Sequence, residues 1–124
     1  CQHALFLALM ATCQAGDVVA VESPGFYGAL QLLEQLQLKV IEIPASYTTG
    51  IDIAALESNL NVWPIKAIIV TPNFSTPTGS LMPTDNRTKL LAVAEKFDFA
   101  VIEDDIYGEM GFHSATQPLA ALDE

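Results

Sequence analysis

The chain has 124 residues, 51% hydrophobic and 16% charged, and fifteen acids against five bases give a formal charge of -10. That length suits one modest domain or a piece of a larger one, and so apolar a chain can bury enough surface to offset its ordering entropy, which excludes disorder. The longest apolar run, residues 4–11, is far shorter than the roughly 20 residues of a bilayer span and has no basic segment before it, so neither a membrane helix nor a signal peptide is expected. The acidic balance argues against direct nucleic-acid binding by this stretch, and two cysteines are too few for a disulfide framework or a structural zinc site.

Along the chain, residues 2–14 form an apolar helix candidate stopped by Gly16. Its apolar side chains run nearly all round, as in a helix covered on every side. Residues 18–22 are a short β-branched run cut off by Ser23-Pro24-Gly25. Leu30, Leu33 and Leu36 then predict a helix over 26–37 packed on one side. A strand over 39–43 ends at Pro44, and Asp52 caps a helix running to about Leu60. Residues 67–71 form the next strand, ended by Pro72. Thr84 is expected to cap a helix to Lys96, and 99–104 is the last strand. The runs Val18-Val19-Ala20-Val21 and Ile68-Ile69-Val70 are continuously apolar, as in strands covered on both faces. The expected fold class is therefore α/β, a three-layer, mostly parallel sheet flanked by helices. Ligands of such sheets sit outside the carboxyl ends of the strands. Both chain ends look arbitrary, so 1–124 reads as an interior piece of a longer polypeptide.

Three segments that follow strands carry the chemistry. They are Glu22-Ser23-Pro24-Gly25-Phe26-Tyr27-Gly28, Thr71-Pro72-Asn73-Phe74-Ser75-Thr76-Pro77-Thr78-Gly79 and Glu103-Asp104-Asp105-Ile106-Tyr107-Gly108. Their order resembles that of the fold-type I pyridoxal-phosphate (PLP) enzymes, the aspartate-aminotransferase superfamily. The likeness covers the whole chain as part of that family's PLP-binding large domain. The joint separation of Pro-Thr-Gly from Asp-x-x-Tyr is specific; either motif alone is weak. The wording around them is similar to the aminotransferase-like domain of MocR-type regulators, in which a GntR-type winged helix precedes a PLP-binding domain.

The resemblance implies cofactor-binding roles for Cys1, Gln2, Phe26, Thr76, Asp104 and Tyr107. Asp104 ends an apolar strand, where an unpaired carboxylate is costly. The pattern alone equally suits a solvated strand-end acid; in the family the matching Asp pairs with the pyridine nitrogen and keeps the ring protonated. Tyr107 corresponds to a tyrosine that hydrogen-bonds the cofactor's phenolic oxygen, against plain aromatic packing. Phe26 matches the aromatic stacked on the ring, with Tyr27 as the neighbouring alternative and core packing as the rival. Cys1-Gln2 opens a helix whose free N–H groups suit an anion, and the family's matching pair binds the cofactor phosphate. Cys1 is a weaker donor than the hydroxyl usual there. Thr76 departs from the family's Asn, offering one donor instead of two, which bears on transamination more than on cofactor binding.

Other polar residues read as structural. Asn73 is taken as a turn residue, Arg87 as a surface cation, and His3 and His113 as non-ligating; no metal site is expected. Asp105 is expected to tolerate loss of its charge. None of Lys39, Lys66, Lys89 and Lys96 suits the family's Schiff-base lysine, so no catalytic residue is assigned here. That lysine is expected beyond Glu124 and the chain alone is expected to be inactive. Three functions stand. The first is the effector-sensing PLP domain of a MocR-type regulator, binding an amino acid or amine, with DNA contacted only through an upstream winged helix. The second is a genuine class I/II aminotransferase acting on amino and 2-oxo acids. The third is a degenerate structural domain that has lost the cofactor. A cytoplasmic homodimer without membrane contact is expected for the parent.

Overall fold

A computed structural model describes residues 1–112 and 116–123. Its order is α1 (Gln2–Thr12), β1 (Val18–Ser23), α2 (Tyr27–Gln35), β2 (Lys39–Ser46), β3 (Gly50–Ile51), α3 (Ile53–Leu60), β4 (Ile65–Val70), α4 (Thr84–Phe97) and β5 (Ala100–Glu103). The strands form one sheet in the order β3-β2-β1-β4-β5. β1 pairs in parallel with β2 and β4, and β4 in parallel with β5. Only the two-residue β3 runs antiparallel, at the edge of β2.

Side chains of a strand point alternately to opposite faces, and both faces are apolar here. Val19 and Val21 of β1 join Ala67 and Ile69 of β4 under α1 and α2, with Leu5, Leu9, Ala29 and Leu33. Val18 and Ala20 turn the other way, with Ile68 and Val70, onto Leu56 of α3 and Leu90 and Val93 of α4. The expected three layers follow from that alternation. Among the described residues no helix is long and apolar enough to cross a membrane.

Three expectations need correction. Pro44 does not end β2, which continues to Ser46. It lies opposite Ser23, where β1 stops, and its carbonyl accepts the Asp52 N–H at 2.8 Å, so the missing proline donor falls where the pairing with β1 runs out. Thr84 is not a cap; it is the first helical residue after Pro83, and no side chain caps α4. Leu30 is not on the packed side of α2, since a three-residue spacing drifts round a 3.6-residue turn and leaves it 40% exposed while Leu33 is fully buried. On α1 the described residues cover one side alone: Leu5 and Leu9 are buried, whereas Leu7 and Met10 are more than half exposed.

Asp52 does cap α3 as expected, its Oδ1 accepting the Ala55 N–H at 3.0 Å. Asp52→Ala in the full-length protein should lower unfolding free energy by about 0.5–2 kcal/mol in urea titrations, with an unchanged denaturant slope.

Candidate functional site

Four parallel strands deliver their carboxyl ends to one edge of the sheet. There the exits of β1, β4 and β5 border a small cleft of about 50 Å³ that opens to solvent. Glu22, Phe26, Glu42, Thr71 and Asp104 line it. The Asp104 N–H still donates to the Val70 carbonyl at 2.9 Å, which extends the ladder and holds this carboxylate at the rim. Its burial, with the charge of Asp105 adding to it, raises its pKa above the ordinary carboxylate value. On the other side of Asp104 a second hollow is lined by Cys1, Ala4, Leu5 and Ile102, so the start of α1 stands beside the same carboxylate.

Phe26 occupies the N-cap position of α2 without a side-chain cap, half-buried in the cleft wall. Tyr27 packs on it with ring centroids 5.2 Å apart but is itself 69% exposed, which separates the two aromatic candidates. Gly28 explains how the ring and α1 come together. A Cβ there would overlap the Phe26 ring and come within 2.7 Å of Gln2 Nε2, so both side chains use the space that glycine leaves. Cys1 is the N-cap of α1 and its side chain makes no cap to the backbone donors of the first turn.

The structure thus gathers Phe26 and Asp104 in one cleft, Cys1 beside Asp104, and Gln2 beside Phe26. Thr76 and Tyr107 are outside the lining. Thr76 is exposed on a tight loop held by the Ser75 N–H on the Ser80 carbonyl at 3.0 Å. Tyr107 follows β5, 36% exposed, at the start of a 3₁₀ turn.

Several residues differ from their expected roles. Arg87 is not a surface cation but is 5% exposed. It donates to the carbonyls of Met82 (2.8 Å), Gln117 (2.6 Å) and Pro72 (3.2 Å) and to Asn73 Oδ1 (2.6 Å). Asn73 is likewise no simple turn residue: it is fully buried and passes the contact on, its Nδ2 donating to Asp105 Oδ1 at 2.9 Å. Asp105 is therefore tied into a relay that fixes the exits of β4 and β5 to α4. The sequence does hold a signal for Arg87, since it shares a helix face with Leu90 and Ala94 at three- and seven-residue spacing. His113 lies outside the described residues.

Glu22 is the residue that the strand pattern hides. It is 7% exposed, and its Oε2 accepts the Thr71 N–H at 3.0 Å and the Ser75 hydroxyl at 3.5 Å. Its Oε1 is buried without a partner among the described residues. Burial pushes its pKa up from 4.5 to about 7, against the lowering effect of those two hydrogen bonds.

Comparison with known proteins adds the following. The family described as aminotransferase class I and II matches residues 1–124. An uncharacterized HTH-type transcriptional regulator of Escherichia coli, YjiR, is 48% identical over 110 residues, 89% of this chain and 23% of that protein. A second from the same organism, YdcR, is 40% identical over 119 residues, 96% of this chain and 25% of its own length. The chain therefore spans about a quarter of these relatives. Among solved structures, Pyrococcus horikoshii kynurenine aminotransferase in complex with PMP superposes with a TM-score of 0.90 at 34% identity, over 98% of this chain and 31% of that one.

Two measurements check the buried charges. Arg87→Met should strip several buried acceptors of their donor and destabilise the full-length protein by about 1.5–3 kcal/mol or more in urea. Glu22 binds its proton in the folded state more tightly than when unfolded, so its contribution is complete below about pH 4.5 and is lost as pH rises to about 7. The difference in unfolding free energy between wild type and Glu22→Gln should follow that decline, by an amount of order 3 kcal/mol.

Proposed function

This chain belongs to the aminotransferase class I and II family, and on that premise we propose that it is the greater part of the half-site that holds pyridoxal phosphate in a larger, MocR-type transcriptional regulator. The observation that carries the reading is Asp104, a half-buried carboxylate at the end of a parallel strand, facing a cleft walled by an aromatic ring and flanked by a helix start. The fit is supported by the chain's own chemistry. The space over Gly28 is kept free of a Cβ so that a flat ring and an amide can meet there, and the donors at the start of α1 suit a phosphate.

Bound there, the cofactor would supply an electron sink for bonds to the α-carbon of an amino acid or amine. Asp104 would hold the proton on the ring nitrogen, and a charge-assisted hydrogen bond in a partly dry cleft favours that protonated form. Phe26 would give the ring a face to lie on and fix its orientation. Gln2, Cys1 and the first-turn N–H groups of α1 would hold the phosphate. Thr76 and Tyr107, on the exits of β4 and β5, would reach the phenolic oxygen, Thr76 with the one hydroxyl it has.

The lysine that anchors the cofactor is not among the four present. All of them are exposed, Lys39 on β2, Lys66 on β4, and Lys89 and Lys96 on α4. It belongs to the remainder of the full-length protein, as does DNA contact through a winged helix. The regulator reading is favoured over an enzyme by the HTH-type relatives at 48% and 40% identity and by Thr76 in place of the family's Asn. The enzyme reading keeps support from the aminotransferase that superposes over 98% of the chain. A cytoplasmic homodimer, binding an amino acid or amine, completes the proposal; the uncovered Leu7 and Met10 of α1 support a further packing surface.

Purified full-length protein should carry cofactor absorbance that borohydride fixes covalently, and a colourless protein that takes up no added PLP would sink the reading. Asp104→Asn should weaken PLP retention by about 1.5–3 kcal/mol, roughly ten- to a hundredfold, toward the lower figure because solvent screens a half-exposed group. Asp98→Asn, on the exposed end of α4, should bind like wild type. Gly28→Ala should leave the melting temperature within a few degrees yet weaken PLP binding, because the ends of Phe26 and Gln2 give way while the backbone stays.

A further inference from the structure

The lining of the cleft brings three carboxyl groups, Glu22, Glu42 and Asp104, into one hollow with no Lys, Arg or His among its residues. Of groups sharing a hollow, the one that keeps its proton most readily is the one with least access to water and an oxygen left without a donor. Glu42 is exposed and accepts the Ser23 hydroxyl at 2.5 Å. Asp104 is half-buried at the rim. Glu22 is the innermost: Oε2 takes the donors of Thr71 and Ser75, while Oε1 is enclosed with no partner among the described residues.

Resting on the reading of this cleft as a cofactor site, we propose that Glu22 is a proton-bearing positioning residue: uncharged, it ties the end of β1 to the backbone leaving β4 and lets Asp104 face the ring nitrogen with no second buried anion beside it. The tie matters because the segment it holds, Thr71 to Ser75, runs straight into Thr76. The groups that face Glu22 are few. β2 brings Glu42, the exit of β4 brings the Thr71 N–H and the Ser75 hydroxyl, the exit of β5 brings Asp104, and α2 brings only Phe26, Ala29 and Leu30. None of them carries positive charge. With a pKa of about 7, the group changes state within the physiological range. Ionised, an enclosed oxygen without a donor has to be met by water, which opens the cleft and loosens the loop that carries Thr76.

The test uses the full-length protein in two arms. In the cofactor-free protein, infrared difference spectra should show a protonated carboxyl band that titrates near pH 7, lost in Glu22→Gln and kept in Glu34→Gln on the exposed side of α2. A band unchanged in Glu22→Gln, or no protonated band at pH 6, would overturn the proposal. In the PLP-loaded protein, the absorbance of the bound cofactor should change with a midpoint near pH 7 and lose that step in Glu22→Gln, while retention at pH 6 stays as in wild type. The same step surviving in Glu22→Gln overturns it too. If the protein binds no PLP at all, the reading of the cleft fails, and the infrared arm still decides the proton on Glu22.

Discussion

Everything at the functional edge depends on β1 lying in parallel between β2 and β4. Parallel strands all enter the sheet at one end, so every chain exit is delivered to the other. Val19 and Ala20 of β1 are completely buried, one towards each face, which leaves this strand no freedom to slip by a residue without moving its partners into the wrong layer. The register Ala20–Ile41 and Ala20–Ile68 then fixes where β1 stops relative to its neighbours. Glu22, Thr71 and Asp104 meet because the strands that carry them are locked side by side by apolar contacts well away from the cleft.

The distribution of charge gives that edge a definite character. The single arginine directs its donors to three carbonyls and an asparagine behind the cleft, so it is unavailable to a ligand in front of it. The cleft itself is lined by acids. In the proposed site an anion on the α1 side would meet backbone N–H groups, and a protonated ring nitrogen at Asp104 would meet a carboxylate. Opposite parts of one ligand would there be recognised by different means, peptide dipoles at one end and a side-chain charge at the other.

The layers, the parallel sheet and most element ends were legible in the sequence, because continuous apolar runs and helical spacing are local signals. What was not legible needed a partner from elsewhere in the chain. β3 is two residues long and exists only because Ala45 and Ser46 are there to pair with it. Arg87 and Asn73 read as surface polar groups until the carbonyls of Met82 and Pro72 and the carboxylate of Asp105 are brought round them by the fold. Glu22 sat inside a run taken simply as a buried strand, although the cost of an acid at an apolar strand end applied to it as much as to Asp104. Phe26 and Asp104 stood out through family likeness more than through pattern, and the fold brings both to one cleft. Thr76 and Tyr107 are outside its lining.

The packing of α1 on β5 also sets an order of assembly. Cys1, Ala4 and Leu5 lie against Ile102 and Asp104, nearly the whole length of the chain away. Within this stretch α1 is synthesised before the surface that covers one side of it, with four strands (β1 to β4) and three helices (α2 to α4) between them. Local βαβ units can form during that interval, but the hollow beside Asp104 closes only when β5 joins the edge of the sheet and α1 docks on it. Such distant contacts make folding slow and leave an apolar helix uncovered meanwhile. The same arrangement means that the start of α1 and the Asp104 carboxylate come together only once β5 is in place.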